Sequence, residues 1–453
     1  MTVNCSVGPR YQRPAIPSPD VYRGLSPGVD PTVVNSIGDE KWWALFDDPQ
    51  LQTLIRTALT NNYDVRIAAA RVLQAEAVVG IRRSDQLPSI YARGAGATLS
   101  IPDSIRDLGT RSTLGTVDVS LFWELDFWGK YRKATEAARA ELLSTVWGQR
   151  AVLSSVVSTV ATAYFELREL DLEMEIAQSA LQLRQESLRL VQVRASGGVT
   201  SALDVWQSEQ LVYAAARAIP DLERRIEQQE NRISILVGAN PGAINRGRPL
   251  VENAVIPVVP AGLPSRLLER RPDIQAAEQH LIAANARIGV ARAAYFPQIG
   301  LTAMGGYQSS ALTSLFAGLS SAGFAALGGQ ITQPIFAGGR IRSGVRLTEA
   351  RRQEALFSYQ QTIQQAFQEV SDSLVAYRTT QEYRKAQESL TRAAENARRL
   401  SDSRYRGGVT SYLEVLDSDS RYFVAQLTLA QAVLDERLAL VQLYRALGGG
   451  WEQ

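Results

Sequence analysis

Leu413, Leu416, Ser420, Phe423, Leu427, Ala430, Leu434, Leu438 and Val441 recur at spacings that alternate between three and four. That seam, polar only at Ser420, predicts a long amphipathic helix packed side by side with others, as in a coiled coil. The same habit extends over most of the chain. No proline occurs from Gly129 to Ile219, or from Ile335 to the end. Gly129 to Ala195 alone would make a helix about 100 Å long at about 1.5 Å per residue, against an ordinary helix of about 11–12 residues. Helices of that length need neighbours to cover their apolar stripes.

Between these stretches the period changes to two. Val117, Val119, Leu121, Trp123, Leu125 and Phe127 alternate with Thr116, Asp118, Ser120, Phe122, Glu124 and Asp126. Only Phe122 breaks the two-faced strand pattern. Further on, Ile299, Leu301 and Ala303 alternate with Gln298, Gly300 and Thr302, and Leu327, Gly329 and Ile331 with Gly328, Gln330 and Thr332. These last two runs lie within Ala293–Gly339, 47 residues without a charge and with nine glycines. Four strands follow, at about 87–100, 113–128, 295–308 and 322–336, with loops near 101–112 and 309–321.

The chain is also written twice. "RASGGVTSALDV" (194–205) returns as "RYRGGVTSYLEV" (404–415), an offset of 210 residues. "NYDVRIAAA" parallels "RPDIQAAEQ" and "LPSI" parallels "FPQI", both at 209. "DFWGK" parallels "IFAGGR" with one inserted glycine. The predicted plan is an extended arm and equatorial segment over 1–48, repeat one over 49–240, a proline-rich linker over 241–263 and repeat two over 264–453. Each repeat runs as one helix of about 35 residues, two strands, a very long helix, the glycine break and a second helix. The first 35 residues, with six prolines, are expected to be extended and unpacked.

Charge and composition narrow the chemistry. Lys and Arg number 48 against 46 Asp and Glu, a net charge of +2 without clustering, unlike a nucleic-acid surface. One cysteine and one histidine build no Cys/His metal cage and no disulfide. His280 sits in an alanine-rich helical stretch and reads as a surface or interhelical residue, so neither catalysis nor a cofactor is expected. The most apolar helical stretch, Ala151 to Phe165, is 15 residues with five serines and threonines, short of the roughly 20 a membrane helix needs. Strands are another matter, because a tilted strand of about 10 residues spans a bilayer. Lipid tolerates no open sheet edge, and closed barrels start at about eight strands, so four strands from one chain need further copies. A soluble sheet capping a helical bundle, or a coiled-coil scaffold, is the alternative these residues leave open.

"ELDFWGK", "ITQPIFAGGR" and "RYRGGVTSYLEVLDSDSRYFVAQ", within duplicated halves, resemble the TolC-like outer-membrane efflux family. The lipoprotein branch of its multidrug channels is the nearest match, and "CSVGPRYQRP" resembles its mature N-terminus. The resemblance implies a mainly α chain with transmembrane β structure: a homotrimer sharing one twelve-stranded barrel, continued by long antiparallel helices as a hollow periplasmic tunnel. It implies a passive exit duct for drugs and other small molecules, contributing to antibiotic resistance, with a periplasmic membrane-fusion adaptor and an inner-membrane pump as partners. It also implies acylation, including palmitate, of Cys5 as an anchor in outer-membrane lipid. "MTVN" before Cys5 departs from the Gly or Ala and apolar segment that normally precede such a cysteine.

Each "GGVTS" predicts a helix stop followed by a helix start. Gly197/Gly198 and Gly407/Gly408 supply the left-handed turn, and Ser201 with Asp204, like Ser411 with Glu414, fits a capping box. The hairpin tips thus fall at 195–201 and 405–411. By resemblance Gly198, Val199, Thr200, Ser201, Gly408, Val409, Thr410 and Ser411 are adaptor-docking positions. Leu413 and Asp417, one turn apart on a helix face, match the family's periplasmic gate. Asp419, Arg404 and Tyr405 are further candidates for the links that hold it. Gln207 stands where the first copy would need the equivalent of Asp417.

Overall fold

The computed structural model describes residues 6–25, 36–99, 112–252, 260–309 and 323–451. Cys5, most of the two strand-connecting loops and part of the proline-rich linker lie outside the described residues. The chain is mainly helical with one four-stranded antiparallel sheet. After the short helix α1 (Trp42–Leu45), the first half runs through α2 (Pro49–Asn61), α3 (Tyr63–Ser84), β1 (Ser89–Leu99), β2 (Ser112–Glu124), α4 (Lys130–Ser196) and α5 (Ala202–Leu236). The second runs through α6 (Pro264–Arg270), α7 (Pro272–Ala293), β3 (Gln298–Ser309), β4 (Gly323–Thr332), α8 (Arg340–Arg406) and α9 (Tyr412–Ala446). The repetition is metrical as well as textual: α4 and α8 each have 67 residues, and α5 and α9 each have 35. No helix of the described residues is long and apolar enough to cross a membrane.

The expected 35-residue opening helix is broken in both halves. In the first, the Asn62 side chain accepts from the Asp64 amide at 2.8 Å and donates to the Leu236 carbonyl at 2.8 Å, ending α2 and capping α3. In the second, Arg271 is extended ahead of Pro272, which has no N–H to continue a helix. The chain divides into two compact units. One comprises 1–15, 71–146 and 276–360; the other comprises 16–70, 147–275 and 361–453.

The first unit holds the sheet, in the order β1-β2-β3-β4, so β1 and β4 are its edges. The register sorts the side chains onto two faces, because directly paired residues of an antiparallel ladder point the same way. One face carries Ile90, Leu121, Ala303 and Leu327 in one row, then Ala92, Val119, Gly305 and Ala325, then Trp123, Leu301 and Gly329. The other carries Tyr91, Ser120, Met304 and Ala326, then Arg93, Asp118, Gly306 and Phe324, then Glu124, Gly300 and Gln330. Phe122, the one break in the alternation, lies on the polar face beside Gly300.

Two strands end sooner than the alternation suggests. β2 stops at Glu124 because the next residues build the joint into α4. Glu124 receives Lys130 Nζ at 2.9 Å and the Tyr131 hydroxyl at 2.7 Å, while Asp126 accepts the amides of Tyr131 and Arg132 at 3.2 and 2.9 Å. The turn itself uses Gly129 at φ +78°. β4 stops at Thr332, ahead of Pro334, which cannot donate to a ladder. Below the strands Trp128 stacks on Phe296 at 4.7 Å and donates to the Pro297 carbonyl at 2.7 Å.

The arm is extended, as composition predicts, but it is packed. Val7 donates its amide to the Trp128 carbonyl at 3.1 Å, and Asn285 donates to the Pro9 carbonyl at 3.1 Å. Tyr11 and Arg13 both reach Glu278, at 3.1 and 2.8 Å. Gly8 lies so close to Gly289 that a Cβ would stand 2.7 Å from its Cα. His280, half exposed, lies 3.9 Å from Glu141.

The second unit has the larger core, built from Trp42, Phe46, Leu51, Ile55, Val157, Val160, Tyr164, Leu167, Ile233, Val441 and Tyr444. Buried Asp48 organises one side of it. It caps α2, accepting from Gln50 and Leu51, and also accepts the Tyr164 hydroxyl at 2.9 Å and the Arg248 amide at 3.1 Å. The predicted α9 seam is not the buried stripe of the first half: Tyr412, Val415, Ser418 and Ala425 are buried there, while Leu413 is exposed and Leu416, Ser420, Phe423 and Leu427 are only partly covered. Further on Ala432, Val433, Leu434, Leu440, Val441, Leu443 and Tyr444 are all buried, so the helix is enclosed on nearly every side near its end.

Candidate functional site: two helical tips

Both tips belong to the second unit, and as turns they are near copies. At the first, Gly198 donates to the Ala195 carbonyl at 3.0 Å and Val199 to the Arg194 carbonyl at 2.9 Å. At the second, Gly408 donates to Tyr405 and Val409 to Arg404, both at 2.9 Å. Gly198 and Gly408 take φ +73° and +72°, the left-handed residue of a Schellman stop. No neighbour crowds either glycine, so the backbone conformation alone demands it. Val199 and Val409 project into solvent, 70% and 69% exposed.

The helix starts differ. Ser201 and Asp204 form the expected capping box, with Asp204 donating its amide to Ser201 Oγ at 3.4 Å and accepting from the Ser201 amide at 3.2 Å. Thr200 adds a bond to the Asp204 carboxylate. Ser411 and Glu414 do not form the box: Ser411 is the N-cap residue but makes no side-chain cap bond, and Thr410 Oγ1 is buried without a partner. What fixes α9 there is packing. Tyr412 is buried with Val191, Tyr405 and Val415, whereas Ala202, at the equivalent place in α5, is exposed. The Tyr412 hydroxyl donates to Ser208 Oγ at 2.9 Å, tying the second hairpin to the first.

The remaining predicted gate residues fall into two groups. Leu413 is 64% exposed, and Asp417 is exposed on the same face of α9. Asp417 is met on its own helix by Arg421 Nε at 2.8 Å, with both side chains largely in solvent. Asp419 and Tyr405 are drawn inward instead. Asp419 Oδ2 takes Arg184 Nε of α4 at 2.8 Å; Arg184 is itself buried, also donates to the Leu211 carbonyl at 3.1 Å, and lies 4.7 Å from the Phe423 ring centre. Tyr405 is buried under Arg194, whose guanidinium sits 4.6 Å from the ring centre and donates to the Tyr405 carbonyl at 2.8 Å. Arg404, the residue equivalent to Arg194, is exposed.

Arg184, Arg194, Arg421, Ser208 and Tyr412 were not legible as site residues, since each acts through a partner on another helix or one turn away. The Arg184–Asp419 pair joins residues 235 apart and has no counterpart in the other half, where Ala394 and Glu209 occupy the equivalent places. A polar cavity of about 140 Å³ opens beside this pair, with Ser187, Ser208, Arg398 and Tyr412 among its walls.

Comparison with known proteins bears on the whole chain. A family model described as outer membrane efflux protein matches residues 54–239 and again 263–449. The toluene efflux pump outer membrane protein TtgC of Pseudomonas putida is 37% identical over 99% of this chain and 93% of its own length. The cation efflux system protein CusC of Escherichia coli is 33% identical over 99% and 96% respectively. The open-state crystal structure of the MtrE outer membrane channel of Neisseria gonorrhoeae superposes with a TM-score of 0.89 at 31% identity, covering 99% of each chain.

The unlike helix starts give a paired expectation. Ser201→Ala should destabilise the start of α5 by about 1 kcal/mol, while Ser411→Ala should change little, since no cap bond is lost. Amide hydrogen exchange should accelerate at Leu203–Val205 in the first variant and stay unchanged at Leu413–Val415 in the second.

Proposed function

The chain belongs to the outer membrane efflux protein family, and on that premise we propose that three copies form a passive duct closed at the Leu413–Asp417 face of α9. It is an outer-membrane exit channel of a tripartite efflux pump, not an enzyme, and its partners are a periplasmic adaptor and an inner-membrane pump. The finer reading concerns assembly, gate and anchor. Three sheets of four strands make twelve, above the about eight at which closed barrels begin. Closure satisfies the edges of β1 and β4, sets the uncharged face toward lipid and turns the polar face inward.

The observation that carries the gate is the exposure of Leu413 and Asp417 side by side on α9, beyond a tip otherwise pinned by buried contacts. Threefold repetition makes a ring of leucines and a ring of aspartates, each aspartate partly offset by its own Arg421. The first hairpin has Leu203 equally exposed but Gln207 in place of the charge. Within one chain Arg184–Asp419 and Arg194–Tyr405 hold the two hairpins together. Exposed Arg404 is free to make the equivalent bond to the first hairpin of the next copy. The tips at Gly198–Ser201 and Gly408–Ser411 present alike projecting valines, six in a trimer, as repeated docking edges for the adaptor. Cys5 is the acylation site in this reading, supported by the chain just after it: Ser6 packs on Gly129 and Val7 bonds Trp128 at the foot of β2, next to an aromatic stack suited to a membrane interface. Names such as toluene pump and cation system among the relatives fit a wide duct without a substrate-recognising pocket.

In planar bilayers Asp417→Ala is expected to raise single-channel conductance and lower cation preference; unchanged values for both reject the gate. Val199→Asp combined with Val409→Asp should abolish co-purification of the adaptor from membranes while the channel still inserts, and retained adaptor rejects the docking edge. Intact mass of membrane-expressed protein should show acyl chains on Cys5, lost in Cys5→Ser; an unmodified cysteine removes the anchor.

A further inference from the structure

On the polar face of the sheet, Arg93 of β1 stands opposite Asp118 of β2, the same row continuing through Gly306 and Phe324. Among the described strand residues the charges are Arg93, Asp118 and Glu124, all on this face. Glu124 belongs to the joint at the foot of α4, neutralised by Lys130. Arg93 and Asp118 lie six residues further up β2, about 20 Å at about 3.4 Å per residue, in the middle of the strands.

The pair is poorly built for stability. Nε of Arg93 lies 3.5 Å from Asp118 Oδ2, and its Nη2 reaches Ser120 Oγ only at 3.4 Å. A long ion pair with one partner in solvent adds little to a fold. Asp118 Oδ2 is buried without a hydrogen bond, which costs free energy. The neighbouring strand offers no side chain here: a Cβ on Gly306 would stand 2.2 Å from the Val117 carbonyl oxygen and 2.7 Å from Asp118 Cα, so the backbone itself requires glycine beside Asp118. The two charges are unequally presented. The Arg93 side chain is 64% exposed and the Asp118 side chain 13%. A solute passing this face meets a guanidinium, with the carboxylate recessed behind it, the Tyr91 ring exposed on the next row and the Phe122 ring one row beyond.

We propose that Arg93, seated on Asp118, is a charge-selective band in the wall of the duct at mid-height of the strands, favouring the passage of anionic solutes. The inference rests on the reading of the chain as a channel whose polar face lines the lumen. Three copies make a cationic ring that counteracts the anionic Asp417 ring of the tip, and Asp118 tempers its strength. The field of such a ring acts across water and is screened by salt, so the band discriminates by charge and binds nothing tightly.

The test measures reversal potentials across a planar bilayer under a KCl gradient, in an Asp417→Asn background so that the tip does not dominate. Arg93→Gln should raise the potassium-to-chloride permeability ratio by about twofold or more, Asp118→Asn should lower it by a similar factor, and both shifts should shrink in concentrated salt. Arg93→Lys should behave like the parent, since charge and not the guanidinium fork is at work. A conducting channel whose ratio is the same in Arg93→Gln as in its parent overturns the band and leaves the duct standing. A parent protein that inserts but never conducts overturns the duct itself.

Discussion

The outer edges of β1 and β4 govern what this molecule can be. Each presents a row of backbone N–H and C=O groups that no other strand of the described residues pairs. In water such edges invite aggregation, and in lipid each unpaired group costs several kcal/mol, so an open four-stranded sheet with an uncharged face belongs in neither. Closure on further copies resolves both problems at once. The helices repeat with the strands: α4 equals α8 in length and α5 equals α9, which keeps the two halves in step.

Duplication gives two hairpins the same stop signal, and the structure uses them unequally. The Schellman turns at Gly198 and Gly408 agree bond for bond. Beyond them α5 begins on a polar cap with its first residues in solvent, while α9 begins on a buried tyrosine that bonds across to the first hairpin. A capped start is locally self-sufficient, whereas a packed start depends on its neighbour staying in place. The second hairpin is thereby the one whose helix start rests on the first, and it is the one that carries Leu413 and Asp417.

Period and repetition were the legible parts of the sequence. The alternation at Val117–Phe127 gave the faces of β2 correctly, and the 210-residue offset gave the order of elements. Boundaries were less legible where a side chain overrode periodicity, as Asn62 does between α2 and α3 and Asp126 does at the foot of α4. The capping box at Ser411 failed because a matching motif states an option, and the burial of Tyr412 supplied another. The seam of α9, taken alone, reads as a scaffold; the family match over both halves decides against that. At the tip, the seam spacing places Leu413 among packed residues, whereas burial falls one position earlier, on Tyr412 and Val415, and leaves Leu413 exposed. Arg184 could not be found, because its partner Asp419 lies 235 residues away.

The central claim is that edges left open in one chain are closed by others, and closure at twelve strands requires three copies. Native mass spectrometry of the protein released from detergent micelles counts them directly. The account predicts a single species at three times the 49.6 kDa chain mass, apart from covalent lipid. A monomer, or an assembly of two or four chains, as the stable species extracted from membranes would contradict it.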